Sequence, residues 1–376
     1  MLTRREFLIG SAAVGAVAIG SSAGLVSWDA MTRPHDSVRA WGAARGTDRL
    51  LLAATLAANS HNAQPWRFRV SDAGIDVLGD ANRTMGKADP RLRELHVSLG
   101  CALENMVIAA ADAGTPLAVK QVAGAPGTHF TRLSFSPEGE SMDRASLAVA
   151  IPNRRTNRGP YDPERGVSDA DLAALGSLAG RGVRVAWLTS PSDRAAFTDL
   201  SVEATVEHVA DAGMQRDSHR WYRMRRAQAE ENRDGVTVDA ANLAPAASLA
   251  LRLVPPSPDS FDTSWAKVTR ETHCATAPAF GLLAVEVAGD HFGWIEAGRA
   301  FQRILLAASL RGIAVHPISQ ALALRDREVV GATAGHFSAG LQVLGGPGEV
   351  VLAFRIGHAT REQLPSLRRA PVVLPS

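Results

Sequence analysis

Apolar and polar positions recur with two different periods along this chain, and the switches between them mark out helices and strands. Gly46 to Asn59 carries the three-and-four spacing of an amphipathic helix. Trp66 to Val70 and Gly74 to Leu78 flank the turn Ser71-Asp72-Ala73 and predict a hairpin. Asp89-Pro90 opens a long helical pattern that runs to Ala113 and stops at Gly114, with Leu95, Leu99, Leu103, Met106 and Val107 on its apolar stripe. Leu117 to Val122 and Phe130 to Phe135 read as strands, and Asp143 to Val149 as a helical segment. Further strands are predicted at Val183 to Leu188, Gly281 to Val287 and Val350 to Ile356, with helices between them that include the run from Trp294 to Arg311. Ser218 to Arg226 reads as a basic, aromatic helix with a solvated face, and the proline-containing stretch that follows to Pro258 has no readable period. The alternation of both element types without a short repeat predicts a mixed α+β protein.

Composition narrows the class. The chain has 376 residues, 46% of them hydrophobic and 21% charged, which is enough apolar material for a substantial core. Its formal net charge of +2 argues against bulk nucleic-acid binding. Cys101 and Cys274 form neither a metal-ligand spacing nor a redox pair, so Cys101 reads as a small buried side chain and His273-Cys274 as structural. Thr3-Arg4-Arg5-Glu6-Phe7-Leu8 precedes a mildly apolar stretch from Ile9 to Val26. This is the layout of a twin-arginine export signal, with cleavage near Ala30 or retention as a membrane anchor as the two outcomes.

Two short strings carry chemistry. Ser60-His61-Asn62-Ala63-Gln64-Pro65-Trp66 places amide and hydroxyl side chains on a stiff turn directly before a strand, which suits a heteroaromatic ring edged with carbonyl oxygens and nitrogens. Arg154-Arg155-Thr156-Asn157-Arg158 supplies guanidinium forks and a hydroxyl, which suit a phosphate. Taken alone, the first string reads equally as a polar loop and the second as a solvated basic turn. No Gly-x-Gly-x-x-Gly loop is present to cradle a pyrophosphate.

Together, and in their setting, these strings resemble the FMN-dependent nitroreductase family. The first resembles its Ser-x-x-Asn-x-Gln-Pro-Trp segment, in the His variant of the long, internally duplicated actinobacterial subgroup. The second resembles its Arg-x-Ser-x-Lys/Arg phosphate motif and is followed, as there, by an aromatic residue, a Pro/Asp-rich loop and a capped helix at Tyr161 to Leu172. The resemblance implies an α+β nitroreductase fold with FMN as cofactor. An ordinary member has the arginine motif first, and its FMN lies at a homodimer interface. The reversed order here implies a pseudo-dimer of two related halves, residues 40–150 and 151–376, after a signal over residues 1–30. One working site per chain follows, because Gly46-Thr47-Asp48-Arg49 and Leu178 to Arg184 replace the second copies of the two strings.

Further residues enter through the same resemblance. His316, Pro317, Ile318 and Ser319 lie on the strand and loop whose backbone amides would approach the flavin ring, a place where His316 reads equally as a core histidine. Arg368 and Arg369 would close on the phosphate, Asn62 and Gln64 would tune the ring, and a variable insertion at about residues 215–265 would cover the site. The implied activity is electron transfer through flavin N5 to a small organic acceptor, with no protein acid or base named. The runner-up is a flavin-storage protein of the same fold. Export would separate the protein from NADPH, so the expected donor is a quinol or a partner protein, with Arg220 to Arg226 as the docking segment and the N-terminus as a membrane contact.

Overall fold

The computed structural model describes residues 36–122, 130–136, 142–333 and 335–375. The export signal around Arg4-Arg5 lies outside the described residues. After a short helix α1 (Asp36–Ala40), α2 spans Gly46–Thr55 and ends earlier than its apolar pattern. Asn59 is extended, and its side-chain Oδ1 accepts from the Gln64 amide at 2.8 Å, so the chain leaves the helix to build the next loop. The predicted hairpin forms from β1 (Trp66–Ser71) and β2 (Gly74–Gly79), with Trp66 and Phe68 turned into the core.

Helix α3 (Arg93–Asp112) begins after Leu92 rather than at Pro90. Leu92 adopts a left-handed conformation, and Asp89 reaches across the turn to accept from the Glu94 and Leu95 amides at 3.0 and 3.1 Å. This satisfies helix-start donors that the proline position alone could not. Strands β3 (Leu117–Val122) and β4 (Phe130–Phe135) complete this part of the sheet. Met142–Ala150, read as helical, is a 3-10 segment.

Helix α4 (Asp169–Gly176) is capped by Ser168, and β5 (Val183–Leu188) leads to α5 (Pro191–Ala210) and α6 (Ala212–His219). The expected helix at Ser218 to Arg226 does not continue. Tyr222–Arg223 forms a strand β6, followed by α7 (Arg226–Asn232) and β7 (Val236–Thr237), which pairs in parallel with β6. Trp221, Tyr222 and Met224 are buried there, so the apolar side chains pack inward instead of decorating a solvated face. Helices α8 (Pro245–Leu253) and α9 (Pro258–Val268) follow, and α9 runs into a π-helical turn at Thr269–Cys274.

The remaining elements are β8 (Ala279–Val285), α10 (His291–Leu310), β9 (Ala314–Pro317), α11 (Gln320–Gly331), α12 (His336–Gly345), β10 (Glu349–Gly357) and β11 (Val373–Leu374). One sheet has the order β11-β1-β2-β4-β3, the other β5-β8-β10-β9. Only β11 is parallel to its neighbour in these two sheets, returning from the far end of the chain to pair with Phe68 and Arg69. The expected α+β class is the one present, and no described helix is long and apolar enough to cross a membrane.

Helices α3 and α10 cross at the centre, where glycines set the spacing. A Cβ on Gly100 would lie 2.0 Å from the Ile295 carbonyl oxygen, and one on Gly298 2.1 Å from that of Val97. Only hydrogen fits at both positions. A single apolar cluster runs through this crossing and includes Phe68, Leu103, Met106, Trp294, Phe301 and Phe354.

Candidate functional site

The loop after α2 is held in an uncommon shape. His61, Asn62 and Gln64 have φ of 47°, 55° and 53°, a left-handed region that costs such residues roughly 1–2 kcal/mol each. Long-range bonds hold it there. Gln302 on α10 accepts from the Ala58 amide at 3.2 Å, Ser98 on α3 from the Ser60 amide at 3.2 Å, and Gln64 Nε2 donates to the Arg233 carbonyl at 2.9 Å. Strain of this kind persists where the surroundings over-determine it.

Two cavities meet at this loop and share Ala58, Asn59, Thr156, Arg158 and Val236 as walls. The smaller has a volume of about 40 Å³ and gathers Arg154, Arg155, Arg158 and Arg368 with Thr156 and Asn62. The larger is about 520 Å³, within the range of a cofactor or substrate site. Ser60, His61, His316, Pro317 and Ser319 line it, beside Phe301 and the covering side chains Tyr222, Leu251, Phe261 and Trp265.

The arginines are the most telling feature. Arg154 and Arg368 are buried, and among the described residues no carboxylate forms an ion pair with Arg154, Arg155, Arg158 or Arg368. Burial, with repulsion from Arg155 and Arg158, pulls Arg154 down to about 10, and burial with Arg355 does the same to Arg158. Burial together with Arg154 and Arg155 takes Arg368 to about 9. Arg154 Nε has no hydrogen-bond partner. Desolvated like charges without a counter-charge are unfavourable unless an anion joins them. The same chain shows a contrasting arrangement at Glu104, whose carboxylate pairs with Arg299, Arg303 and Arg144 at 2.8, 3.0 and 3.1 Å.

The larger cavity has its own polar edge. Arg355 Nε donates to His316 Nδ1 at 3.1 Å, which leaves the proton of a neutral His316 on Nε2. Burial, with His273 and Arg355 adding to it, keeps His316 well below its ordinary value, so the ring is neutral at pH 7. His273, carried into the wall by the π-helical turn, lies 4.7 Å from the His316 ring, and its Nδ1 is buried without a partner. Gln320 Oε1 on α11 is likewise unpartnered. Burial and then Arg158 hold His61 down to about 4.

Several sequence-selected residues take other positions. Gln64 faces neither cavity: its Oε1 accepts from the Arg369 amide at 2.8 Å, tying the C-terminal tail to the loop. Asn62 turns to the arginine side, where Arg368 donates to its Oδ1 and its own Nδ2 donates to the Leu367 carbonyl at 3.0 Å. Neither is therefore placed to tune a ring in the larger cavity. Asn157 donates to the Arg361 carbonyl at 2.7 Å and shapes the turn at Gly159. Ile318 is packed in the core, with its amide donating to the Ala353 carbonyl, and Arg369 lines neither cavity. The docking segment is also partly consumed, because Arg223 is paired with Asp234 at 2.6 Å. Glu94, Ser98 and Gln320 line the larger cavity without having been singled out by sequence, and His273, read there as structural, lines it too. A polar side chain within an apolar helical stripe was the signal available for Ser98; nothing local marked the others.

No protein-family profile matches the chain. It is 27% identical over 319 residues to a Mycobacterium tuberculosis protein provisionally named NAD(P)H nitroreductase Rv3131, covering 82% of this chain and 84% of that one. A second M. tuberculosis protein, provisionally named NAD(P)H nitroreductase acg, is 32% identical over 120 residues, 31% of this chain and 36% of the other. These relatives support the nitroreductase family. Among solved structures, an FMN-bound nitroreductase of Bacteroides fragilis is 15% identical, covers 59% of this chain and 93% of its own, and has a TM-score of 0.36. The FMN-dependent nitroreductase NfnB of Mycobacterium smegmatis, solved with NADPH, is 17% identical, covers 57% and 89%, and also scores 0.36.

Proposed function

We propose that this chain is an exported FMN-dependent oxidoreductase of the nitroreductase family that reduces a small organic acceptor. The observation that carries the reading is a cluster of four arginines, Arg154 and Arg368 buried and none of the four ion-paired among the described residues, opening onto a mostly apolar cavity through shared walls. Such a pair of cavities suits a molecule that is a phosphate at one end and a flat heteroaromatic ring at the other. Arg154, Arg155, Arg158, Arg368 and Thr156 would hold the phosphate of FMN, and the cavity edged by Ser60, His61, His316 and Ser319 would take its ring. When bound, FMN supplies two-electron chemistry, accepting electrons from a donor and passing them to an acceptor. The chain's part is to bind, orient and keep water out. Arg355 fixes the hydrogen-bonding face of His316, and Tyr222, Phe261 and Trp265 from the 215–265 segment roof the acceptor space.

The two sheets on either side of the α3–α10 crossing support the fused pseudo-dimer reading, with residues 40–150 and 151–376 as its halves. The relatives' names carry a nicotinamide donor. For an exported chain, a quinol or a partner protein takes that role, and the Arg4-Arg5 pair is the feature a twin-arginine translocase would read. Flavin released on denaturing the purified protein should be FMN at one per chain; FAD, or no flavin after reconstitution, would overturn the reading. Anaerobic mixing with NADPH and with a soluble quinol then separates the donors, and reduction by neither would favour flavin storage. Changing Arg4 and Arg5 to Lys should leave the protein in the cytoplasm on cell fractionation, whereas unchanged export would refute the twin-arginine route.

A further inference from the structure

A hydrogen-bonded chain of three side chains runs along the wall of the larger cavity to the start of α3. The Ser60 hydroxyl donates to Glu94 Oε2 and lies 3.2 Å from His61 Nδ1. With the Ser60 proton directed to the carboxylate, Nδ1 of a neutral His61 is the donor to Ser60 Oγ, and Nε2 is left as a lone pair. Nε2 has no hydrogen-bond partner within the protein among the described residues, while His61 lines the cavity. The arrangement is built rather than incidental. The Ser60 amide is fixed by Ser98 Oγ at 3.2 Å, and Ser98 in turn donates to the Glu94 carbonyl at 2.6 Å, so loop and helix are locked together around the contact.

We propose that Glu94, Ser60 and His61 form a proton relay that delivers a proton to the acceptor reduced in the cavity. The inference rests on the flavin reading for its electrons. An acceptor that takes a hydride from reduced flavin gains a negative charge on oxygen or nitrogen and needs one proton to become a neutral product. In the delivering state Glu94 is the carboxylic acid and His61 carries its proton on Nε2. The His61 Nε2–H proton passes to the acceptor, the Ser60 hydroxyl proton moves to His61 Nδ1, and the Glu94 carboxyl proton moves to Ser60 Oγ. The relay ends as His61 Nδ1–H, Ser60 O–H and a Glu94 carboxylate, which is the hydrogen-bond pattern the structure has. Between turnovers a solvent proton taken up at His61 Nε2 resets the chain in reverse: the Nδ1 proton returns to Ser60 Oγ and the Ser60 hydroxyl proton to Glu94, which restores the delivering state.

The surroundings fit a shuttle. Burial and then Arg158 disfavour the His61 imidazolium, with His208 also facing the ring, so the ring passes a proton without storing charge. Asp89 and Arg93 face Glu94, with Arg93 Nη2 3.6 Å from Oε1. Burial and the adjacent Glu94 raise Asp89 to about 8. His61 would touch the acceptor and is a catalytic residue on this account; Ser60 and Glu94 act through it.

Nitrogen-15 NMR of the flavin-free, histidine-labelled protein reads the relay without any turnover. The wild type should show His61 as the Nδ1–H tautomer. In Glu94→Leu the Ser60 hydroxyl loses its acceptor and turns to His61 Nδ1, which flips the ring to Nε2–H; Ser60→Ala should remove the preference. An unchanged His61 tautomer in both variants would overturn the relay. In reconstituted protein reduced with dithionite, Glu94→Leu should slow acceptor reduction about 100-fold, the scale of a lost general acid, and lower the solvent deuterium isotope effect. A flipped tautomer with an unaltered rate and isotope effect would also overturn it. If wild type fails to take up FMN, the flavin reading falls, and the tautomer experiment still decides whether the hydrogen-bonded chain exists.

Discussion

Arg158→Met offers a clean measure of the anion site because Arg158 makes no ion pair within the described residues and spends its burial on no protein partner. Methionine keeps the length and apolar stem while removing the charge. A charge-assisted bond is worth about 1.5–3 kcal/mol, and about 1.4 kcal/mol changes a dissociation constant tenfold, so FMN should bind roughly 10- to 150-fold more weakly. The empty protein should respond in the opposite sense. Losing a desolvated charge beside Arg355, whose repulsion adds to the burial of Arg158, should leave the melting temperature unchanged or raised. Fluorescence quenching gives the affinity, and calorimetry without flavin gives the stability. Wild-type affinity in the variant would refute the phosphate assignment, and a clear loss of flavin-free stability would refute the claim that Arg158 lacks a protein role.

Gly298→Ala would place a methyl 2.1 Å from the Val97 carbonyl oxygen, and overpacking of that kind costs about 1–3 kcal/mol or more, visible as a lowered melting temperature. Asp326→Asn breaks a fully buried pair in which Arg93 Nε lies 2.7 Å from the carboxylate, with an expected loss of about 3–5 kcal/mol in urea unfolding. Asp89 titrates near its ordinary 3.8 when unfolded and at about 8 when folded, because burial and Glu94 favour its protonated form. Its contribution is therefore complete below about pH 4 and is lost as pH rises through about 8; Asp89→Asn should flatten that part of the stability profile.

Much of the architecture was legible because local pattern and tertiary burial agree. The alternation at Trp66 and Phe68 and the stripe through Leu99, Leu103 and Met106 are the residues that fill the core. The arginine string was legible for a similar reason, since charge without compensating acid is visible in a linear sequence. Ser218 to Arg226 failed because helical composition there is overridden by a pairing with Val236 and Thr237, closed through Gly235, that no local period announces. Gln64 and Asn62 were legible as loop residues, but their contacts within the chain were not. Their partners at Leu367 to Arg369 lie at the other end of the sequence, where no local pattern announces the contact. Glu94 escaped because its meaning depends on Ser60, which is near it only after α3 has docked.

The return of β11 to β1 has a consequence for the order of events during synthesis. The five-stranded sheet is begun by some of the earliest residues of the described chain, yet its last strand, the clasp on Gln64 and one of the four arginines emerge from the ribosome together, after both central helices. A nascent chain can therefore bury its two central helices while its anion pocket is still missing a wall. Closing a loop of this length costs little more entropy than closing one half as long, so the delay is one of timing rather than of stability. The pocket thus acts as a terminal checkpoint: tight retention of a phosphate-bearing ligand would certify that translation has run through Arg369 and that the tail has threaded back to the first sheet.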